Sequence, residues 1–181
     1  VQRVRQDNGT SILTAEEIAD QAAQLLQARA MVTIDLALPG FLPMDYVPDM
    51  QLRIQLYRRL ANIENETELD TMQAELQDRF GAMPKPVEGL LTQLRIKLLA
   101  QQAGATAVAT ENGRLHIKLP YLGSIDRVAL QNYVGEVVRV SRTAIWFPQN
   151  MPEQEWRPLL VDILRRLNRE QVQEVFAIEG D

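Results

Sequence analysis

The stretch "LRIKLLAQQAGATAVATENGRLHIKLP", residues 94–120, decides the fold class, because the hydrophobic period changes within it. Before it, from about Pro86, apolar residues recur at helical spacing: Val87, Leu90, Leu91, Leu94 and Leu98 form one stripe. The helix is expected to run to Ala103, where Gly104 stops it. From Ala105 the pattern alternates with period two around Asn112-Gly113, the residue pair that builds tight β-hairpin turns. A helix followed directly by an antiparallel hairpin predicts an α+β fold.

Working outward toward the N-terminus, Thr67 to Phe80 reads as a helix with Thr67 as N-cap and Gly81 just past its end. Asp49 to about Ile63 reads as another. Its apolar residues lie on two faces, Met50, Ile54, Tyr57 and Ala61 on one and Leu52, Leu56 and Leu60 on the other, which predicts cover from both sides. "MVTIDLALP" (31–39) predicts a strand ended by Pro39-Gly40, and "TAEEIADQAAQLLQARA" (14–30) a helix opened by a Thr14/Glu17 capping box. The segment "VQRVRQDNG" resembles the tail of a preceding helix, so the chain is expected to be a piece of a larger protein.

Toward the C-terminus, Ser124 is expected to cap a short helix to about Tyr133. "EVVRVSRTAIWFP" suggests two strands around 137–147. A last helix to about residue 170 carries the stripe Leu160, Ile163, Leu164 and Leu167, with Pro158 either in or near its first turn or kinking the helix. The expected architecture is a helical lobe to about residue 104 and a β-containing lobe over 105–181.

The composition excludes several function classes. With 181 residues, 46% hydrophobic and 24% charged, the chain can bury a core. No run reaches the roughly 18–20 apolar residues of a membrane span, so no membrane partner is expected. No two glycines lie closer than eight residues, which removes both Gly-rich phosphate-loop motifs. A single histidine and no cysteine leave no zinc set, and no calcium loop is present. Ser11, Ser124 and Ser141 stand outside any nucleophile elbow. His116 shares a strand face with Arg114 and Lys118, opposite Leu115, Ile117 and Leu119, and is expected to be solvated. Neither a catalytic residue nor a metal or cofactor ligand is expected within this chain, and the absence of cysteine fits a reducing cytoplasm.

One corner resists a purely structural reading. In "AELQDRFGAMPKP" (74–86), Glu75, Asp78 and Arg79 crowd the end of a helix. Glu75 and Arg79 make a favourable i,i+4 pair of about 0.2–0.5 kcal/mol. Asp78 lies in the final turn, where the helix dipole disfavours an acid by about 0.3–1 kcal/mol. An acid that weakens its own helix suits a basic partner elsewhere. Arg165, Arg166 and Arg169 on the last helix form a secondary basic patch, open to phosphate contact or to pairing such as Asp162 with Arg166.

The segment 38–91 resembles the C-terminal domain of the bacterial transcription-repair coupling factor family. The residues that carry the resemblance are Leu38-Pro39, Asp45-Tyr46-Val47, Asp49, Arg53, Tyr57, Arg59-Leu60, Glu68-Leu69, Glu75-Leu76, Asp78-Arg79-Phe80-Gly81 and Pro84. It extends over roughly 31–130, while residues 1–30 look like a linker leaving a motor domain.

The resemblance implies a parent that is an ATP-driven double-stranded-DNA translocase, which displaces RNA polymerase and recruits excision repair, with ATP and magnesium bound upstream. It implies a regulatory domain over 31–181 that packs in cis on a UvrB-like module and masks the surface for UvrA. Glu75, Asp78 and Arg79 would contribute to that contact, and the isolated chain would be a monomer. A nucleic-acid-binding accessory domain, using the last helix or the 114–118 strand, is the alternative. A hydrolase built on paired carboxylates ranks third.

Overall fold

The computed structural model describes residues 32–168 and Val172. The expected helix at 14–30 lies outside them. The described part is α+β: five α-helices and one five-stranded mixed sheet.

Helices α1 (Met50–Ala61), α2 (Glu66–Phe80) and α3 (Lys85–Gln102) follow a short strand β1 (Thr33–Asp35) and a proline-marked connection. Strands β2 (Ala107–Glu111) and β3 (Arg114–Lys118) form the hairpin. Both turn residues have left-handed backbone, Asn112 at φ 50° and Gly113 at φ 73°, which is why Asn-Gly suits this turn. A 3₁₀ turn (Leu122–Ser124) leads to α4 (Arg127–Val134), β4 (Arg139–Val140), β5 (Ala144–Trp146) and α5 (Glu153–Arg166). The sheet order is β1-β2-β3-β5-β4, with β1 parallel to β2 and the remaining pairs antiparallel.

Helix α3 is the wall between two cores. Val87, Leu90, Leu91, Leu94 and Leu98 join Leu56, Leu60, Leu69, Met72 and Leu76 of α1 and α2. Its opposite face supplies Ile96, Leu99 and Ala100 to a second cluster with Val108, Leu115, Ile117 and Ile145 of the sheet and Leu160, Ile163 and Leu164 of α5. A helix apolar on both faces is what a central position requires.

Three local expectations are corrected. Helix α2 is capped by Asn65, not Thr67: the Asn65 side chain accepts from the Glu68 N–H at 2.9 Å, and the Glu68 carboxylate accepts from the Glu64 N–H at 2.9 Å. Both residues can cap, but Asn65 has Glu68 three positions on to return a bond. Asp126, accepting from Val128 and Ala129, caps α4, while Ser124 ends the 3₁₀ turn instead. Helix α1 is not covered from both sides. Arg53, Leu56, Tyr57 and Leu60 make a single buried stripe, and Met50 is exposed. The stripe falls between the two expected faces because its centre holds a buried arginine, which no apolar pattern reveals.

Candidate intramolecular interface

The corner at the end of α2 is built by three elements. Tyr46, from the connection before α1, donates its hydroxyl to the carbonyls of Leu76 (3.0 Å) and Gly81 (3.2 Å), which bracket the last turn of α2. Its ring rests against Phe80 at 5.6 Å between centroids, and the Arg79 guanidinium lies 5.2 Å from the Phe80 ring. Gly81 follows with φ 82°, a backbone that a side chain strains.

Glu75 is held from two sides. Arg59, in the last turn of α1, donates twice to it, at 2.7 and 2.5 Å, and Arg79 donates once at 2.9 Å. Those hydrogen bonds, Arg59 first and Arg79 second, lower its carboxyl pKa to about 2. The expected i,i+4 pair is therefore present, with a tertiary partner added. Arg59 was not expected at the site, although the resemblance includes it. Its approach to a residue sixteen positions on depends on how α1 crosses α2.

Asp78 differs. It is exposed and has no ion pair or hydrogen bond among the described residues. The corner thus carries two acids and two arginines, with Glu75 saturated and Asp78 open. A groove of about 380 Å³, lined in part by Arg59, Ile63, Glu68 and Met72, runs along the adjoining α1–α2 surface.

The depressed Glu75 pKa carries a pH prediction. Since its ordinary value is 4.5, the pairing contributes stability above about pH 4.5 and loses it as pH falls toward about 2. A carbon-detected carboxyl titration should place Glu75 near the bottom of that window. Arg59→Met should return it toward the ordinary value. A Glu75 that titrates normally in both proteins would deny the bidentate contact.

The basic patch expected on the last helix is largely engaged. Arg165 donates to Glu66 at 2.8 Å, and Arg95 binds Glu66 (2.8 Å) and Asp70 (2.6 Å), so four charges tie α5 and α3 to the start of α2. Arg166 pairs with Asp162 at 2.8 Å and also donates to the Tyr133 carbonyl. Arg169 lies outside the described residues.

His116 corrects another expectation. It is 3% exposed, with neither ring nitrogen hydrogen-bonded, and it stacks on Trp146 at 4.8 Å. Strand alternation puts it on the outer face as expected, but the tryptophan across the strand pair covers it, a neighbour that one-dimensional periodicity cannot supply. Burial, and then the Lys118 charge, hold its pKa below the ordinary value, leaving a neutral imidazole at neutral pH. Among the described residues no three metal-binding side chains gather, and no helix is long and apolar enough to cross a membrane.

The TRCF domain model matches residues 36–128, just over half of the chain. The chain belongs to the TRCF domain family. Its TRCF domain is similar to transcription-repair-coupling factors of several bacteria. It is 39% identical to that of Escherichia coli (strain K12) over 71 residues, which are 39% of this chain and 6% of that protein. To that of Mycobacterium bovis it is 37% identical over 101 residues, 56% of this chain and 7% of the other. To that of Rickettsia conorii it is 46% identical over 67 residues, 37% and 6% of the two chains. The TRCF domain therefore spans only a small part of these relatives. A crystal structure of the C-terminal domain of a transcription-repair coupling factor superposes with a TM-score of 0.65, covering 78% of this chain and 96% of that one. At 19% identity this likeness speaks for the fold.

Proposed function

We propose that this TRCF domain is a non-catalytic regulatory element of a transcription-coupled repair translocase. It would pack in cis on a UvrB-like module and mask the surface for UvrA, with Glu75, Asp78 and Arg79 at the contact. The observation that carries this reading is the contrast within the corner. Glu75 is fully engaged and holds Arg59 and Arg79 in fixed positions, whereas Asp78 is exposed and open at the helix end that disfavours it. Such a rigid, charge-patterned surface suits a partner that presents a cation to Asp78 and carboxylates to the arginines.

In this reading residues 31–181 are the regulatory domain and residues 1–30 the linker from the motor. ATP and magnesium, double-stranded DNA and RNA polymerase are handled by other parts of a cytoplasmic parent protein. Each exposed charge pair contributes about 0.2–1 kcal/mol, which suits a releasable contact.

The test is a calorimetric titration of this chain against the isolated UvrB-like module of its parent, at low and moderate salt. Asp78→Ala should weaken binding by about fivefold at low salt, and Glu75→Ala, which frees two arginines, by at least as much. Added salt should shrink both differences. Binding indifferent to both substitutions would move the contact elsewhere on the domain.

A further inference from the structure

One face of the sheet is covered by helices, and on the other only part is exposed, since His116 and Ala144 are buried there. Its inner residues, Val108, Leu115, Ile117 and Ile145, meet α3 and α5. Strand pairing sets the outer face in rows. Asp35, Ala109, His116, Trp146 and Arg139 align across all five strands, and Thr33, Ala107, Lys118 and Ala144 make the next row. Ala107 and Ala109, both partly exposed, leave a low floor toward the half-buried Trp146 ring, while Ala144 is buried. Three cations lie on the same face, Arg139 directly across from Trp146 in the register, Lys118 in the next row and Arg114 near the ring. Lys118 and Arg139 are exposed, and Arg114 is set 5.4 Å from the ring by its bond to the Phe147 carbonyl. None of the three has an ion pair among the described residues. Of the acids on this face, Asp35 sits on the β1 edge and Glu111 lies across from Arg114 in the strand register, so Lys118 and Arg139 carry its unopposed positive charge.

We infer that the outer face of the sheet binds single-stranded nucleic acid, with a base stacked at Trp146 and the backbone phosphates on Arg114, Lys118 and Arg139. The chemistry selects this occupant. A flat ring flanked by cations at sheet level matches an unpaired base with its phosphates. A duplex hides the faces of its bases, and an acidic peptide would satisfy the cations but has nothing to stack. The surface is separate from the α2 corner, so either assignment can fail alone.

The test titrates the chain with an oligothymidylate of about twelve nucleotides at low salt, following Trp146 emission in a Trp156→Phe background. The expected result is saturable quenching, with a log–log salt slope of about −2 for three phosphates contacted. Lys118→Glu/Arg139→Glu, at two exposed positions, should weaken binding at least tenfold, while Arg58→Glu on exposed α1 should leave it unchanged. Trp146→Leu, checked by circular dichroism to be folded, should weaken it severalfold. Absence of binding, or binding indifferent to the double substitution, would overturn the inference. So would a blunt duplex that binds as tightly, or polyglutamate that displaces the oligonucleotide at equal charge concentration, which would mark the face as a protein-docking surface.

Discussion

Gly89→Ala destabilises the domain by about 3 kcal/mol or more, at the upper end of overpacking effects. The sign is the informative part. Gly89 lies within α3, and in an isolated helix the same change would stabilise by about 1 kcal/mol. Here a β-carbon at position 89 would stand 2.0 Å from the carbonyl oxygen of Pro39, far inside contact distance, and the obstacle is backbone.

That approach is held from several directions. Gln93 donates to the Leu38 carbonyl at 2.6 Å, the Phe41 N–H donates to the Pro86 carbonyl at 3.2 Å, and a β-carbon at Gly40 would meet the Gln93 amide at 2.9 Å and the Leu90 backbone at 3.1 Å. The segment 38–41, which leads from β1 into the helical cluster, therefore lies directly on α3 and cannot retreat alone. For a chain of this size the loss corresponds to a fall in melting temperature of roughly 6–12 °C. Urea unfolding followed by circular dichroism, together with amide exchange along α3, would measure it. A stabilised Gly89→Ala variant would show that this segment does not sit where the structure places it.

Arg53→Met lowers stability by about 2 kcal/mol. Arg53 is 6% exposed and donates one amino group to the carbonyls of Val47 (2.6 Å) and Pro48 (3.0 Å). Those carbonyls end the connection that carries Tyr46 to the corner of α2, so the guanidinium fastens that connection to α1. Tyr57 does the same nearby, its hydroxyl accepting from the Leu42 N–H at 2.8 Å. Methionine preserves most of the apolar stem and volume but leaves both carbonyls without that donor. Equilibrium unfolding gives the size of the effect. Unchanged or increased stability would mean that desolvating the guanidinium costs as much as its hydrogen bonds return. A correctly fastened connection should also matter to the corner, because Tyr46 bonds the Leu76 and Gly81 carbonyls on either side of the last turn of α2.

Much of this was legible in the sequence. The change of period at residue 104 separates helix from hairpin, and Asn112-Gly113 marks the turn, whereas the second apolar face of α3, Ile96, Leu99 and Ala100, became evident only from its packing. The three residues expected at the corner fall together in the last two turns of α2, since helical spacing alone places them. Other features were hidden for identifiable reasons. The Arg59–Glu75 contact joins two helices, and no local pattern encodes a crossing. His116 is polar and lies on the outward-facing side of its strand, yet its burial comes from a tryptophan thirty positions on. Arg165 lies in a cationic cluster on its helix, but its partner Glu66 is ninety-nine residues away.

The sequence by itself determined the elements, their order and the family, because periodicity, turn residues and motif spacing act over a few neighbouring residues. Tertiary structure alone decided which charges are engaged and which are open, which polar groups are buried, and where a helix can tolerate no side chain. These depend on distances between segments far apart in the chain, where a few ångströms separate an ion pair from a free charge and a close contact from a clash.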